Sequence, residues 1–263
     1  MKYEISKRYD TYAKGMAVFR DKAFTFRQNV EARLIDLKKN NDRKLFETWQ
    51  DSCTAVVYPK NFNETGEFII VPKCELLINI DENFNSSFLP ITDEQYNQMK
   101  KEKGAVVLNI KDAEYDDLLS LNEVKSHPAW IAACEGDTKL LSNYAENYFK
   151  LFNKSEAMGF YLDGCDGKNG VRAVVLYNVN SNYSNADGDN NLNNYGRFVS
   201  SSPTEEELKK TEEELKKTEE ELKKTEEELK KTENQLVINF IKSEIERKQK
   251  EIDKLNRALE VLR

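Results

Sequence analysis

The sequence predicts an α+β head followed by a long, highly charged α-helix or coiled coil, and three observations carry that prediction. Over the first 200 or so residues, short β-branched runs alternate with stretches of helical periodicity. From Thr204 to Lys231 the heptapeptide Thr-Glu-Glu-Glu-Leu-Lys-Lys then occurs four times without a difference. Charge is distributed accordingly. From Pro203 onward there are 15 Lys/Arg and 18 Asp/Glu, against 25 and 29 before it, and of 13 Phe, 12 Tyr and 2 Trp only Phe240 lies in the tail. The aromatic side chains needed for a core therefore sit in the head. This gives three segments: a helical N-terminal part of the head (1–50), an α+β body (51–202) and a heptad-repeat helix (203–263).

Along the head, residues from about Ile5 to Trp49 read as helical, with Phe26, Val30, Leu34 and Leu37 at three- and four-residue steps and a break at Asn40, Asn41 and Asp42. TAVVY at 54–58 and EFIIV at 67–71 predict strands, ELLINI at 75–80 a third, and AVVLNI at 105–110 another. Thr92 and Gln95 have capping-box spacing and open a short helix to about Lys103. Asp116 to Phe152 is again helical. Pro128 suits a first helical turn with Ser126 nearby as cap, and Leu140, Leu141, Tyr144, Tyr148, Phe149 and Phe152 form one apolar face. GFYL at 159–162 and VRAVVLYNV at 171–179 predict two antiparallel strands joined at Asn169-Gly170. GRFV at 196–199 resumes a β-like run.

In the tail, Ser202-Pro203-Thr204-Glu205 gives a helix start, and each Glu four residues before a Lys adds roughly 0.2–0.5 kcal/mol. Leu208, Leu215, Leu222, Leu229 and Leu236 recur every seven residues, with Thr211, Thr218 and Thr225 at the second seam position. Such a seam buries little apolar surface, which suits a spacer. Ile238, Ile241, Ile245, Ile252, Leu255, Leu259 and Leu262 make a stronger heptad stripe, with Lys248 as its polar member and a slip in register near Asn234–Phe240. That stripe suits either self-association or an intramolecular hairpin.

Several function classes lose support at this stage. The net charge is −7 and the head has no basic stripe, so nucleic-acid binding is not expected. No apolar run is long enough to span a bilayer, and the first residues lack the apolar core of a Sec signal. Cys53, Cys74, Cys134 and Cys165 are widely spaced, which predicts reduced, buried thiols and a cytoplasmic setting, with a virion or non-Sec export compatible. His127 and Cys134 could be assembled into a nucleophile pair, but a capped helix start with a buried Cys explains the same letters. No nucleotide loop or zinc spacing is present, and no enzyme activity or cofactor is expected. Asn185, Asp187, Asp189 and Asn191 supply alternate oxygens. The sixth and twelfth positions of that frame are Asn190 and Gly196 where a calcium loop wants Gly and Glu, so a solvated polar loop is the reading and no metal is expected.

The unusual feature is the window Tyr177–Tyr195, with eight Asn, three Tyr, two Ser and two Asp, punctuated by the apolar Val179, Ala186 and Leu192. Tyr, Ser and Asn are residues that make adaptable binding surfaces. MGFYL, VRAVVL and YNVNSNYSNADGDNNLNNYGRFV, within Met158–Val199, together resemble the variable region of target proteins of diversity-generating retroelements. In that family adenine-directed errors rewrite Asn-type codons. The resemblance implies a C-type-lectin-like fold, non-catalytic ligand binding and diversified ligand-contacting residues. At the matching positions these are Tyr177, Asn178, Asn180, Ser181, Asn182, Tyr183, Ser184, Asn185, Asp187, Asp189, Asn190, Asn191, Asn193, Asn194 and Tyr195. The alternative is a structural or scaffolding protein, phage or cytoplasmic, that acts through the coiled coil.

Overall fold

Two strands with no exposed residue form the centre of the head. The computed structural model describes residues 3–40, 45–112, 117–178, 183–201, 205–231 and 235–262. It divides into two units, one running to Ser200 and one from Ser201 onward. The long central strand β2 (Gln50–Tyr58) is buried along its whole length and pairs antiparallel with β3 (Glu67–Val71) on one side and β7 (Gly170–Leu176) on the other. The sheet order is β5-β3-β2-β7-β8-β6, with β5 at Val106–Asn109, β6 at Phe160–Tyr161 and β8 at Ala186–Asp187; β4 (Leu89–Pro90) also pairs β7. A strand buried on both faces must satisfy its polar side chains internally. Ser52 Oγ accordingly donates to Val174 O (2.6 Å), Thr54 Oγ1 to Pro72 O (2.7 Å) and Gln50 Nε2 to Leu45 O (2.8 Å).

Helices α1 (Tyr12–Phe19), α2 (Phe26–Asn40), α6 (Leu121–Ser126), α7 (Pro128–Ala133) and α8 (Thr138–Phe152) enclose this sheet; single-turn helices α3 (Phe62–Thr65) and α4 (Glu75–Ile78) and the short α5 (Asp93–Met99) join the strands. The core gathers around the fully buried Trp130. Its ring lies edge-on to Phe26 and Phe160, and its Nε1 donates to Met158 O at 2.7 Å. A short strand β1 (Tyr3–Ile5) pairs with β9 (Val199–Ser201).

The capping box at Thr92 and Gln95 is present with both reciprocal bonds, and Pro128 occupies the first turn of α7. Three expectations are corrected. ELLINI does not form a strand: Glu75–Ile78 is one helical turn that buries Leu77 and Ile78, and so short an apolar run fits either state. Asn169-Gly170 is not a hairpin turn, because β8 inserts between β6 and β7 and pairs parallel to the first and antiparallel to the second. Asn169 instead accepts from Lys60 N and donates to Asp93, tying loops together. The cap of α7 is His127, not Ser126: the ring Nδ1 accepts from Trp130 N.

The second unit holds α9 (Glu205–Lys231) and α10 (Gln235–Leu262), which pack along one another as a hairpin. Ile241, Ile252, Leu259 and Thr218 are buried, and Leu215, Leu222, Thr225, Ile238, Ile245 and Leu255 are half-buried. Thr218 and Thr225 fit a seam because their hydroxyls donate back to Glu214 O and Glu221 O and so need no partner across it. Lys248 pairs with Glu221 across the hairpin at 2.5 Å, which accounts for a polar residue in the stripe. Within one chain the stripe is used for the hairpin. The Ser202–Thr204 cap lies outside the described residues, as do Asn41, Asp42 and Asn234 and the side chains of Leu208, Thr211, Leu229, Leu236 and Leu262.

Candidate functional site

The polar window is fixed by its backbone at two places, each through a buried arginine. Arg33, on α2 and fully buried, donates from Nη2 to Leu176 O (3.1 Å), Tyr177 O (3.0 Å) and Thr48 O (2.9 Å). Its Nη1 reaches Ser184 Oγ (3.1 Å) and Tyr144 Oη (2.9 Å), and those two hydroxyls lie 2.6 Å apart. Burial pulls the guanidinium below its ordinary pKa, with Tyr144 opposing the shift. An arginine tolerates this because its intrinsic pKa is so high, and the carbonyls it meets replace lost water. Arg172, on β7, donates from Nε to Gly164 O (2.9 Å) and from Nη1 to Asp189 O (2.6 Å) and Asn191 Oδ1 (2.7 Å).

Between these clamps the segment is laced to its neighbours by main-chain bonds. Met158 N donates to Tyr183 O, Ala186 N to Gly159 O, Gly188 N to Tyr161 O and Tyr177 N to Asn185 O. Further on, Leu192 N donates to Ser87 O and Tyr12 N to Asn194 O. Gly188 has no room for a side chain, since a Cβ there would lie 2.6 Å from Val56 Cγ2. Tyr183 and Ser184 hold left-handed φ angles of 49° and 59°, a tight turn in which Tyr183 is exposed and Ser184 buried.

The fifteen expected contact residues therefore divide. Tyr183 (39% exposed), Tyr195 (53%), Asn193 and Asn194 stand out into solvent. Tyr177, Asn178, Asp187, Asp189 and Asn191 are half-buried. Ser184, Asn185 and Asn190 are buried, which corrects the expectation that the whole window faces outward. Asn185 Oδ1 accepts from Gly159 N at 2.9 Å, and Asn190 lies 3.4 Å from Asp51 Oδ1, so both belong to the framework. Asn180, Ser181 and Asn182 lie outside the described residues.

Two carboxyl groups, Asp51 and Asp187, are perturbed by burial. Asp51 is fully buried, and burial pushes its pKa up to about 7, opposed by the Arg197 N–H that it accepts at 2.6 Å. Burial also pushes Asp187 up, reinforced by the hydrogen bond and charge of Asp189; the Tyr177 hydroxyl and Asp189 N donate to it. Among the described residues no group of three or more His, Cys, Asp or Glu is arranged to hold a metal. Two of the four alternate oxygens, on Asn185 and Asn191, are already taken by Gly159 N and Arg172.

Side chains from outside the window adjoin its exposed face. The Arg8 guanidinium lies 3.3 Å over the Tyr195 ring, Arg197 stacks 4.4 Å over Trp49, and Lys154 lies 4.5 Å over Tyr183. Nothing in the sequence marks Arg8, Trp49 or Arg33, because their contacts join residues that are distant along the chain, and Arg172 reads there only as one residue of a strand. Elsewhere, His127 caps α7 and stacks on Phe160, and Cys134 is buried, which pushes its thiol pKa well above the ordinary value. All four cysteines are buried and unpaired. No helix among the described residues is long and apolar enough to cross a membrane.

No protein-family model matches the chain, and no curated protein is similar to it in sequence. A solved structure from work on how the C-type lectin fold accommodates massive sequence variation in Nanoarchaeota is similar to it. It is 12% identical, with a TM-score of 0.60 over 76% of this chain and 97% of that one. At that identity the likeness shows the fold: the chain contains a C-type-lectin-like head.

Proposed function

We propose that the head is a non-catalytic ligand-binding protein of the diversity-generating kind, with Tyr183, Asn193, Asn194 and Tyr195 as the centre of its contact surface. The half-buried Tyr177, Asn178, Asp187, Asp189 and Asn191 form the rim. One observation carries the reading. Arg33 and Arg172 hold the window through the carbonyls of Leu176, Tyr177 and Asp189, and through two side chains, Ser184 and Asn191, but through none of the four exposed residues. A main-chain carbonyl is the same whatever side chain follows it, so such a clamp survives rewriting of the exposed positions. The fold likeness to a scaffold described as accommodating massive sequence variation supports the same reading.

The test is a library randomised at Tyr183, Asn193, Asn194 and Tyr195, sorted by protease resistance and then by capture of an arbitrary protein target. Most members should stay folded, and binders should emerge. A second library at Ser184, Asn185 and Asn190 should lose most of its members to proteolysis. If the two libraries unfold equally, the window is structural. The evolutionary half of the proposal has its own check: a near-copy of the codons for Val171–Val199 beside a reverse-transcriptase gene.

The helical hairpin acts in this reading as spacer and oligomerisation element. Two helices alone leave Ile238, Ile245 and Leu255 half-exposed and Phe240 66% exposed, and a second copy would cover them. The same observation favours the scaffolding alternative, in which the hairpin is the functional part.

A further inference from the structure

Large hydrophobic side chains exposed in the described head occur in two places: Tyr183 and Tyr195 on the polar window, and Val106 and Val107, 37% and 44% exposed, on β5. β5 is the edge strand opposite β8 and β6, so this second place is at the far side of the sheet. We propose that the outer edge of β5 and the cleft beside it are a docking site for an extended, acidic segment of a partner protein, which adds as a further strand. The inference goes beyond the ligand surface and does not depend on it.

Backbone geometry supplies half the argument. Ile110 N donates to Gly66 O at 2.9 Å, and the register pairs Phe68 with Leu108 and Ile70 with Val106. In an antiparallel pair alternate residues turn their N–H and C=O toward the partner, so Leu108 and Val106 bond to β3 while Val107 turns both groups outward. An added strand would meet those groups, with pockets for alternate side chains setting its preference.

The cleft supplies the other half. A cavity of about 630 Å³, within the size range of ligand pockets, adjoins Val106 and is lined among others by Arg27, Pro72, Lys73, Lys103 and Glu135. Arg27 is engaged by Asp137 and Glu31, and Glu135 accepts from Thr25 Oγ1. Lys73 and Lys103 are exposed and carry no ion pair among the described residues, and they outnumber the one unpaired carboxylate, Glu135, so the unpaired charge of the cleft is net positive. The occupant is accordingly acidic. A second copy is disfavoured, because edge-to-edge pairing of two β5 strands would bring their flanking lysines together.

The probe is a capped hexapeptide alternating valine and glutamate, titrated into the full chain, with a valine–lysine peptide as control. The acidic peptide should bind and slow amide exchange at Val107. Lys73→Glu with Lys103→Glu should weaken binding by about tenfold, and added salt should do the same. Val107→Pro removes one outward N–H without touching the ladder to β3 and should abolish binding while the thermal melt stays cooperative. Should that variant unfold, the lysine double variant and the Val107 amide still decide. Equal binding of both peptides, no protection at Val107, or unchanged affinity in the lysine variant would overturn the proposal. So would a dimer of the chain that Val107→Pro dissociates, since the edge would then belong to a second copy.

Discussion

Arg33 shows how much one side chain can carry. Its guanidinium, itself fully buried, serves three carbonyls and two hydroxyls on five different residues. Arg33→Met should therefore cost roughly 3–5 kcal/mol, because buried acceptors are left short of donors. Urea unfolding of the head measures it, and Arg33→Lys should recover part of the loss. Asp51 gives a prediction with a sign. Its folded-state pKa is raised from the ordinary carboxylate value to about 7, so the folded state holds its proton more tightly than the unfolded chain does. The stability tied to that proton is fully present below about pH 4 and is lost as pH rises through about 7. A shift of that size corresponds to a few kcal/mol, to order of magnitude. Asp51→Asn keeps an oxygen for Arg197 N, and stability measured across pH 5 to 8 should fall less steeply in this variant than in the parent. A parallel pair of curves would show that Asp51 does not titrate in that range.

Among the elements, those with local causes were legible. A capping box needs only Thr92 and Gln95, and the strands of TAVVY and EFIIV declare themselves by β-branching. Of the elements misread, ELLINI is too short an apolar run to declare its state, and the supposed hairpin depends on a distant partner. Phe160–Tyr161 and Gly170–Leu176 are close in sequence and look like a hairpin, yet the strand between them comes from Ala186–Asp187, downstream. Local turn chemistry cannot announce an inserted strand. For α9 and α10 the heptads gave helices and seam, but periodicity does not name the partner. If a second copy covers the remaining stripe, sedimentation of the full chain should show a dimer that Phe240→Glu converts to monomer with helicity unchanged. A chain that stays monomeric throughout a concentration series would limit the hairpin to a spacer.

At the scale of the whole molecule, the composition of Tyr177–Tyr195 pointed to the surface, but not to which of its residues face solvent. That division depends on β8, on the left-handed turn at Tyr183 and Ser184, and on arginines some 140 residues and 5 residues earlier in the chain, none of which a composition count contains. Burial of Ser184, Asn185 and Asn190 means that a rewritten window keeps a few positions under structural constraint, so variation among related chains should be sparse there. The ribbon of Tyr3–Ile5 with Val199–Ser201 has a practical corollary. The polypeptide enters and leaves the lectin-like body side by side, so this body should splice into a surface loop of an unrelated host without stretching the host's own chain.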